Sequence, residues 1–149
     1  MNNNVYEQAL EFKRKYPLTI GWRLKNNSRI VEKHLHPDEI VKYVFVAQKN
    51  DNPFDIISTA VIAITNERIV IGRDRVVIGY FFDSITPDLF NDLKVTSGII
   101  WGKIYIDTVK ELVSLSNISK DALDEIQEKI SCRMMMLKKN VYNERRTKY

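Results

Sequence analysis

The chain predicts a mainly β (α+β) domain: a seven-stranded antiparallel sandwich or barrel capped by a C-terminal helix, with an N-terminal helical extension. Three observations carry this. Apolar residues keep a helical period up to Leu35 and resume it from Leu123. Between Glu39 and Leu115, short runs rich in β-branched and aromatic residues alternate with turn signals, about every ten residues. The 149 residues, 44% hydrophobic and 28% charged, suit one globular unit with a sizeable core. The predicted division is a helical extension over residues 1–36, the β domain with its closing helix over 37–139, and a basic tail over 140–149.

Each element has its own signal. Val5, Ala9, Phe12 and Tyr16 lie on one helical face, and Pro17 ends that helix. A short extended piece follows with Ile20, Trp22 and Leu24. Asn26-Asn27-Ser28 offers N-caps for a second helix with apolar face Ile30, Val31, His34 and Leu35, closed by His36-Pro37. Strands are predicted at Ile40 to Gln48, Ile56 to Thr65, Ile69 to Ile71, Val76 to Ile78, Leu89 to Thr96, Ile99 to Ile106 and Val109 to Leu115. Asp51-Asn52-Pro53, Thr65 to Arg68, Arg73-Asp74-Arg75, Asp83 to Pro87 and Ser97-Gly98 are the breaks. In the sixth strand Ile100, Gly102, Ile104 and Ile106 share a face opposite Lys103, Tyr105 and Asp107. The last helix has Ser119 as N-cap, Asp121 in its first turn and the stripe Leu123, Ile126, Ile130, Met134 and Leu137, with Asp124, Glu128 and Lys138 opposite. Asn140 to Tyr149 carry no stripe to bury and are predicted to fray.

Composition narrows the function. A lone Cys132 excludes a disulfide scaffold and a four-thiolate zinc site within one chain. No apolar run nears the roughly 18 residues of a membrane span. The start Met1-Asn2-Asn3-Asn4, followed by Glu7 and Glu11, lacks the pattern of a secretory signal, so a reducing cytoplasm is expected. The net charge of +4 is uneven. Residues 1–36 carry seven Lys and Arg against three Glu, residues 37–132 ten against fifteen acids, and residues 133–149 six against one. A mildly acidic body thus lies between basic ends suited to phosphate, anionic lipid, an acidic partner or simple solvation.

Two local patterns carry a resemblance. Ala63-Ile64-Thr65-Asn66-Glu67-Arg68-Ile69-Val70 is an apolar-Thr-Asn-x-Arg-apolar hairpin, and His34-Leu35-His36-Pro37-Asp38-Glu39 places a Leu and then a Glu before the first strand. With Phe82-Asp83-Ser84-Ile85 and the alternating strand after Gly98, residues 34–132 resemble the bacterial pleckstrin-homology (PH)-like domain family of the YokE type. The resemblance implies a PH-like fold and a binding role without catalysis. Within the hairpin, Thr65 suits a strand end and Asn66 a turn, while Arg68 is expected to stabilise the turn through Glu67, Asp55 or a backbone carbonyl.

Chemistry-bearing constellations are sparse. His34-x-His36 with Asp38 and Glu39 is the one cluster of metal-ligand types, but its spacing is not that of a helical site, and no metal is expected. Cys132 has only Arg133 beside it, and the chain lacks a Gly-x-Ser-x-Gly elbow and a phosphate-binding glycine loop. No enzyme, cofactor or small-molecule substrate is therefore expected. The loop Lys49 to Asp55 offers two carboxylates and no Arg, a poor anion cradle, and Arg73 and Arg75 flank Asp74 as a charged hairpin tip. The acidic β body argues against nucleic acid, leaving only Tyr142, Arg145, Arg146, Lys148 and Tyr149 for it.

Four consecutive apolar residues, Met134 to Leu137, cannot all face one core, and Met is an adaptable contact residue. Met135, Met136, Lys138, Lys139, Arg145 and Arg146 are thus the candidate contacts. The expected function is a non-catalytic, cytoplasmic protein-interaction or self-assembly scaffold, homo-oligomerisation included. The alternatives are a peripheral module on anionic membrane, through the basic ends, and a nucleic-acid-binding protein.

Overall fold

The computed structural model describes residues 4–50, 58–75 and 78–147. Two short helices open the chain. Helix α1, Val5–Lys15, is capped by Asn4, whose side chain accepts from the Glu7 amide at 3.0 Å. Its first amide, on Val5, donates to Glu32 Oε1 at 2.9 Å, so α1 borrows a carboxylate from the next helix. Val5, Ala9, Phe12 and Tyr16 are buried, as the stripe predicts.

Helix α2, Leu24–His34, starts earlier than its apparent caps. Arg23 takes the left-handed backbone, φ 54°, at the N-cap and pairs with Asp74. Asn27, expected to cap, sits inside the helix at 1% exposure. Its amide donates to Thr59 O (3.0 Å) and Trp22 O (3.2 Å), while its oxygen accepts from the Asp74 amide (2.7 Å). A buried tie to the sheet replaces the cap.

Seven strands follow: β1 Val41–Gln48, β2 Thr59–Thr65, β3 Ile69–Asp74, β4 Tyr80–Ile85, β5 Phe90–Ser97, β6 Trp101–Thr108 and β7 Leu112–Ser119. They form one antiparallel sheet in the order β4-β3-β2-β1-β7-β6-β5. The β1–β7 seam is held at a single pair, Gln48 opposite Ser116. The sheet therefore curls into a half-barrel with two open edges, β4 and β5. After a 3₁₀ turn at Lys120–Ala122, helix α3, Leu123–Thr147, closes it with Leu123, Ile126, Ile130 and Met134. These meet a core that includes Phe45, Ile62, Ile64, Ile71, Ile104, Ile106 and Leu115.

The N-terminal helices cover the first half of the sheet from outside, α2 over β2 and β3, α1 along β1 and α2. All seven β2 residues are buried as a result. Gly72 marks the tightest approach, because a Cβ there would lie 2.6 Å from Val31 Cγ2.

Several boundaries depart from expectation. The fourth strand is Tyr80–Ile85 and runs through the supposed break at Asp83; of the expected Val76 to Ile78 only Ile78 is described, and it lies in a bend. Asp83 is tolerated because β4 is an edge, and its carboxylate takes the Ser84 amide at 2.8 Å. Strand β3 continues through Arg73 and Asp74. Val109 is not in a strand: Thr108 Oγ1 accepts from the Lys110 and Glu111 amides, making the turn into β7. Ser119 makes no side-chain cap. Helix α3 does not fray at Asn140 but continues to Thr147. Asp51-Asn52-Pro53, Phe54, Asp55, Ile56, Val76, Val77, Lys148 and Tyr149 lie outside the described residues.

Candidate interaction surface

The hairpin motif folds into a buried clamp. Arg68, 7% exposed, reaches across to Glu39, 1% exposed. Its Nε donates to Oε2 at 3.0 Å and its terminal nitrogen to Oε1 at 2.9 Å, with a further bond to His34 O at 3.0 Å. The Thr65 hydroxyl donates to Glu39 Oε2 at 2.6 Å and accepts from the Glu67 and Arg68 amides. Asn66 Oδ1 accepts from the Ile40 amide at 2.7 Å. Burial alone would raise the pKa of Glu39, but bonds from Arg68, Thr65 and the His36 amide outweigh it and hold the carboxyl below its ordinary value. The motif thus fastens the segment before β1 to the β2–β3 hairpin. The expected backbone carbonyl is there, but the acidic partner is Glu39, while Glu67 pairs with His36 at 2.8 Å.

His36, Glu39 and Glu67 bring three ligand atoms within 4.8 Å of one another. Arg68 already neutralises Glu39, and His36 Nδ1 already meets Glu67, so the cluster is satisfied without a cation. His34 is turned away. Its ring stacks on Phe82, centroids 4.2 Å apart, and its nitrogens meet Ile30 O and the Tyr80 hydroxyl. Asp74 accepts from Arg23 and Asn26 rather than screening Arg73 and Arg75. Cys132 is exposed on α3.

A second polar tie joins α1, β1 and α3. Glu125 accepts from the Tyr43 hydroxyl at 2.7 Å and from Lys15 at 2.5 Å. Burial, reinforced by the bond to Glu125, pushes the Tyr43 hydroxyl far above its ordinary pKa. Burial opposes ionisation of Glu125, but the bonds from Lys15 and Tyr43 prevail and lower its pKa.

The surface left open is the far half of α3. Met134 is its last buried residue. Leu137 beyond it is still half-buried, and from Lys139 to Thr147 about 14 Å of helix is exposed on every face. Met135 is 72% exposed, Met136 54% and Tyr142 61%, with Lys139, Arg145 and Arg146 also exposed. Lys138 is not on the far face, as the periodicity suggested. It turns back to the sheet, donating to Phe90 O, with its Nζ 5.6 Å from the Phe90 ring centre. The neighbouring edge strand β5 is partly blunted: a bulge lies between Phe90 and Asp92, and Asp92 Oδ1 takes the Leu93 amide.

One apolar feature escaped the sequence reading. Ile99 and Ile100, assigned to a strand, sit in the β5–β6 turn at 93% and 49% exposure. The signal was there in Ser97-Gly98, since a turn that starts at Ser97 leaves the next residues at its tip.

A curled antiparallel sheet closed by one C-terminal helix has the architecture of a pleckstrin-homology domain. The family model described as "Bacterial PH domain" matches residues 35–131, and the chain belongs to that family. It is also similar to the crystal structure of a pleckstrin homology domain from Shewanella amazonensis SB2B, at 12% identity and TM-score 0.44, over 72% of this chain and 81% of that one. No curated protein matches the chain. Among the described residues, no helix is long and apolar enough to cross a membrane.

Proposed function

We propose that this bacterial PH-type domain, of the YokE-type branch, is a non-catalytic cytoplasmic interaction module that docks protein along the free half of α3, with a second copy of the chain as the first partner to test. The proposed division keeps residues 1–36 as a helical segment, 37–139 as the PH-like domain and 140–149 as a basic segment.

The observation that carries this reading is the uncovered outer face of α3 from Met135, which continues into an exposed overhang beyond Lys138. Most helical stability in proteins comes from packing of an apolar face. Here Met135 and Met136 face outward between buried Met134 and half-buried Leu137, and Tyr142 projects from the exposed last turns. Methionines adapt to varied partner shapes, and Lys139, Arg145 and Arg146 would form a polar rim.

Molar mass by light scattering at low and high salt tests it. The unmodified chain should give a discrete oligomer at both, since an apolar contact is insensitive to screening. Met135→Glu with Met136→Glu should give monomer without loss of fold. A monomeric unmodified chain at both salts removes self-assembly.

A further inference from the structure

The β5–β6 hairpin presents a second surface, at the other end of β5 from the α3 overhang. The turn is closed by the Gly98 amide donating to Trp101 O at 3.0 Å. A Cβ at Gly98 would lie 2.6 Å from that oxygen, so only glycine fits so tight a turn. The turn lifts Ile99 clear of the domain. Beside it stand Ile100 and Trp101, the latter 38% exposed. Trp101 Nε1 donates to Leu18 O at 3.2 Å, which brings Leu18, 54% exposed, into the same patch. The apolar side chains are thus gathered on a convex tip, with the indole N–H already satisfied.

Two lysines lie beside the tip. Lys103 lines the hollow beneath Ile99 and Trp101. Lys120 donates its backbone amide to Ile100 O at 3.0 Å, and its side chain is exposed. Asp121 offsets part of the charge of Lys120.

A protruding Ile-Ile-Trp tip flanked by Lys103 and Lys120 has the chemistry of a contact with an anionic bilayer interface. Branched aliphatics enter the acyl boundary, an indole sits at headgroup level, and cations meet anionic phosphates. We infer that the β5–β6 tip, with Leu18, is an interfacial anchor that seats the domain on an anionic bilayer. This anchor is independent of α3, so a partner held on the α3 overhang would be carried to the membrane surface.

Flotation of the full chain with vesicles tests the anchor. Equal parts phosphatidylcholine and phosphatidylglycerol should capture the chain, and phosphatidylcholine alone should capture far less. Ile99→Ser with Ile100→Ser should lower capture more than tenfold, because both residues are exposed and their loss leaves the core intact. Ile99→Val with Ile100→Val should retain capture. In a Trp22→Phe chain, Trp101 emission should shift to the blue on anionic vesicles and be quenched by brominated lipid. The inference is overturned if the unmodified chain does not float with anionic vesicles. It is also overturned if the serine variant floats equally well, or if ending the chain at Asn140 abolishes capture while the tip is intact. An oligomer that dissociates in the serine variant, with no vesicle capture by the unmodified chain, would assign the tip to a protein contact and overturn it too.

Discussion

Replacing Arg68 by Met should be among the most damaging single substitutions in the domain. Glu39 accepts four hydrogen bonds at 1% exposure, two of them from Arg68, which also supplies the countercharge. Without Arg68 the carboxylate is buried with no cation, and breaking such a pair costs about 3–5 kcal/mol. Against a typical total of about 5–15 kcal/mol this is a large share. At about 2–4 °C per kcal/mol for a chain of this size, Tm should fall by about 6–20 °C. Replacing Glu39 by Leu as well should restore most of the loss, because an apolar pair of similar volume removes the unpaired charge. Acid provides an independent check. In the native chain the Glu39 pKa is lowered, so its stabilisation is complete above the unfolded carboxyl value of about 4.3 and is lost as pH falls through the folded value. In the Arg68→Met chain Glu39 has lost its cation, so the deficit should shrink as acid neutralises it. Urea unfolding of the four chains of this cycle across pH 3.5–7 reads all of this. A loss below about 1 kcal/mol, or an equal loss with and without Glu39, would refute the clamp.

Asn27→Ala should cost about 2–4 kcal/mol in urea unfolding, because Thr59 O and the Asp74 amide lose a buried partner. Gly72→Ala should destabilise by about 1–3 kcal/mol, read as a lower Tm, since α2 must move away from Val31 Cγ2. Tyr43→Phe removes only the hydroxyl bond to Glu125 and should cost about 1 kcal/mol, with the fold unchanged by circular dichroism. Met135→Glu with Met136→Glu should change monomer stability by less than about 0.5 kcal/mol in urea unfolding, as both side chains are exposed.

Local chemistry was the legible part of this sequence. The stripe from Val5 to Tyr16 and the stripe through Leu123, Ile126 and Ile130 are helical faces because a period of 3.6 residues has one geometric solution. Thr65 was readable as a turn residue because its bonds to the Glu67 and Arg68 amides are local, whereas the bond of Asn66 runs to Ile40, 26 residues away, and was not. The partner of Arg68 was not, because Glu39 lies 29 residues away and only the folded hairpin brings it near. Asn27 misled because the residue type that suits a cap also suits a buried bond to a sheet end. Strand β4 was misplaced because Asp83 disfavours a central strand and no local pattern reveals an edge. Residues Asn140 to Thr147 lack a burial pattern, so they read as tail, yet the helix continues through them. The tip at Ile99 was hidden because a β-branched pair promises a strand interior, whereas the tight turn at Gly98 decides its position.

The double-sided burial of β2 has a consequence for how the chain is made. Thr59 to Thr65 is a seven-residue segment without charge, proline or glycine, rich in β-branched side chains, the composition that stacks readily into intermolecular sheets. On the ribosome, α1 and α2 emerge before it. Its outer cover is already synthesised when the hazardous strand appears, while the inner cover from β6, β7 and α3 arrives last. A chain begun at residue 35, where the family match starts, would keep the late cover and lose the early one. Such a fragment would face its greatest danger of aggregation during birth rather than after folding, and its yield would fall before any loss of binding became measurable.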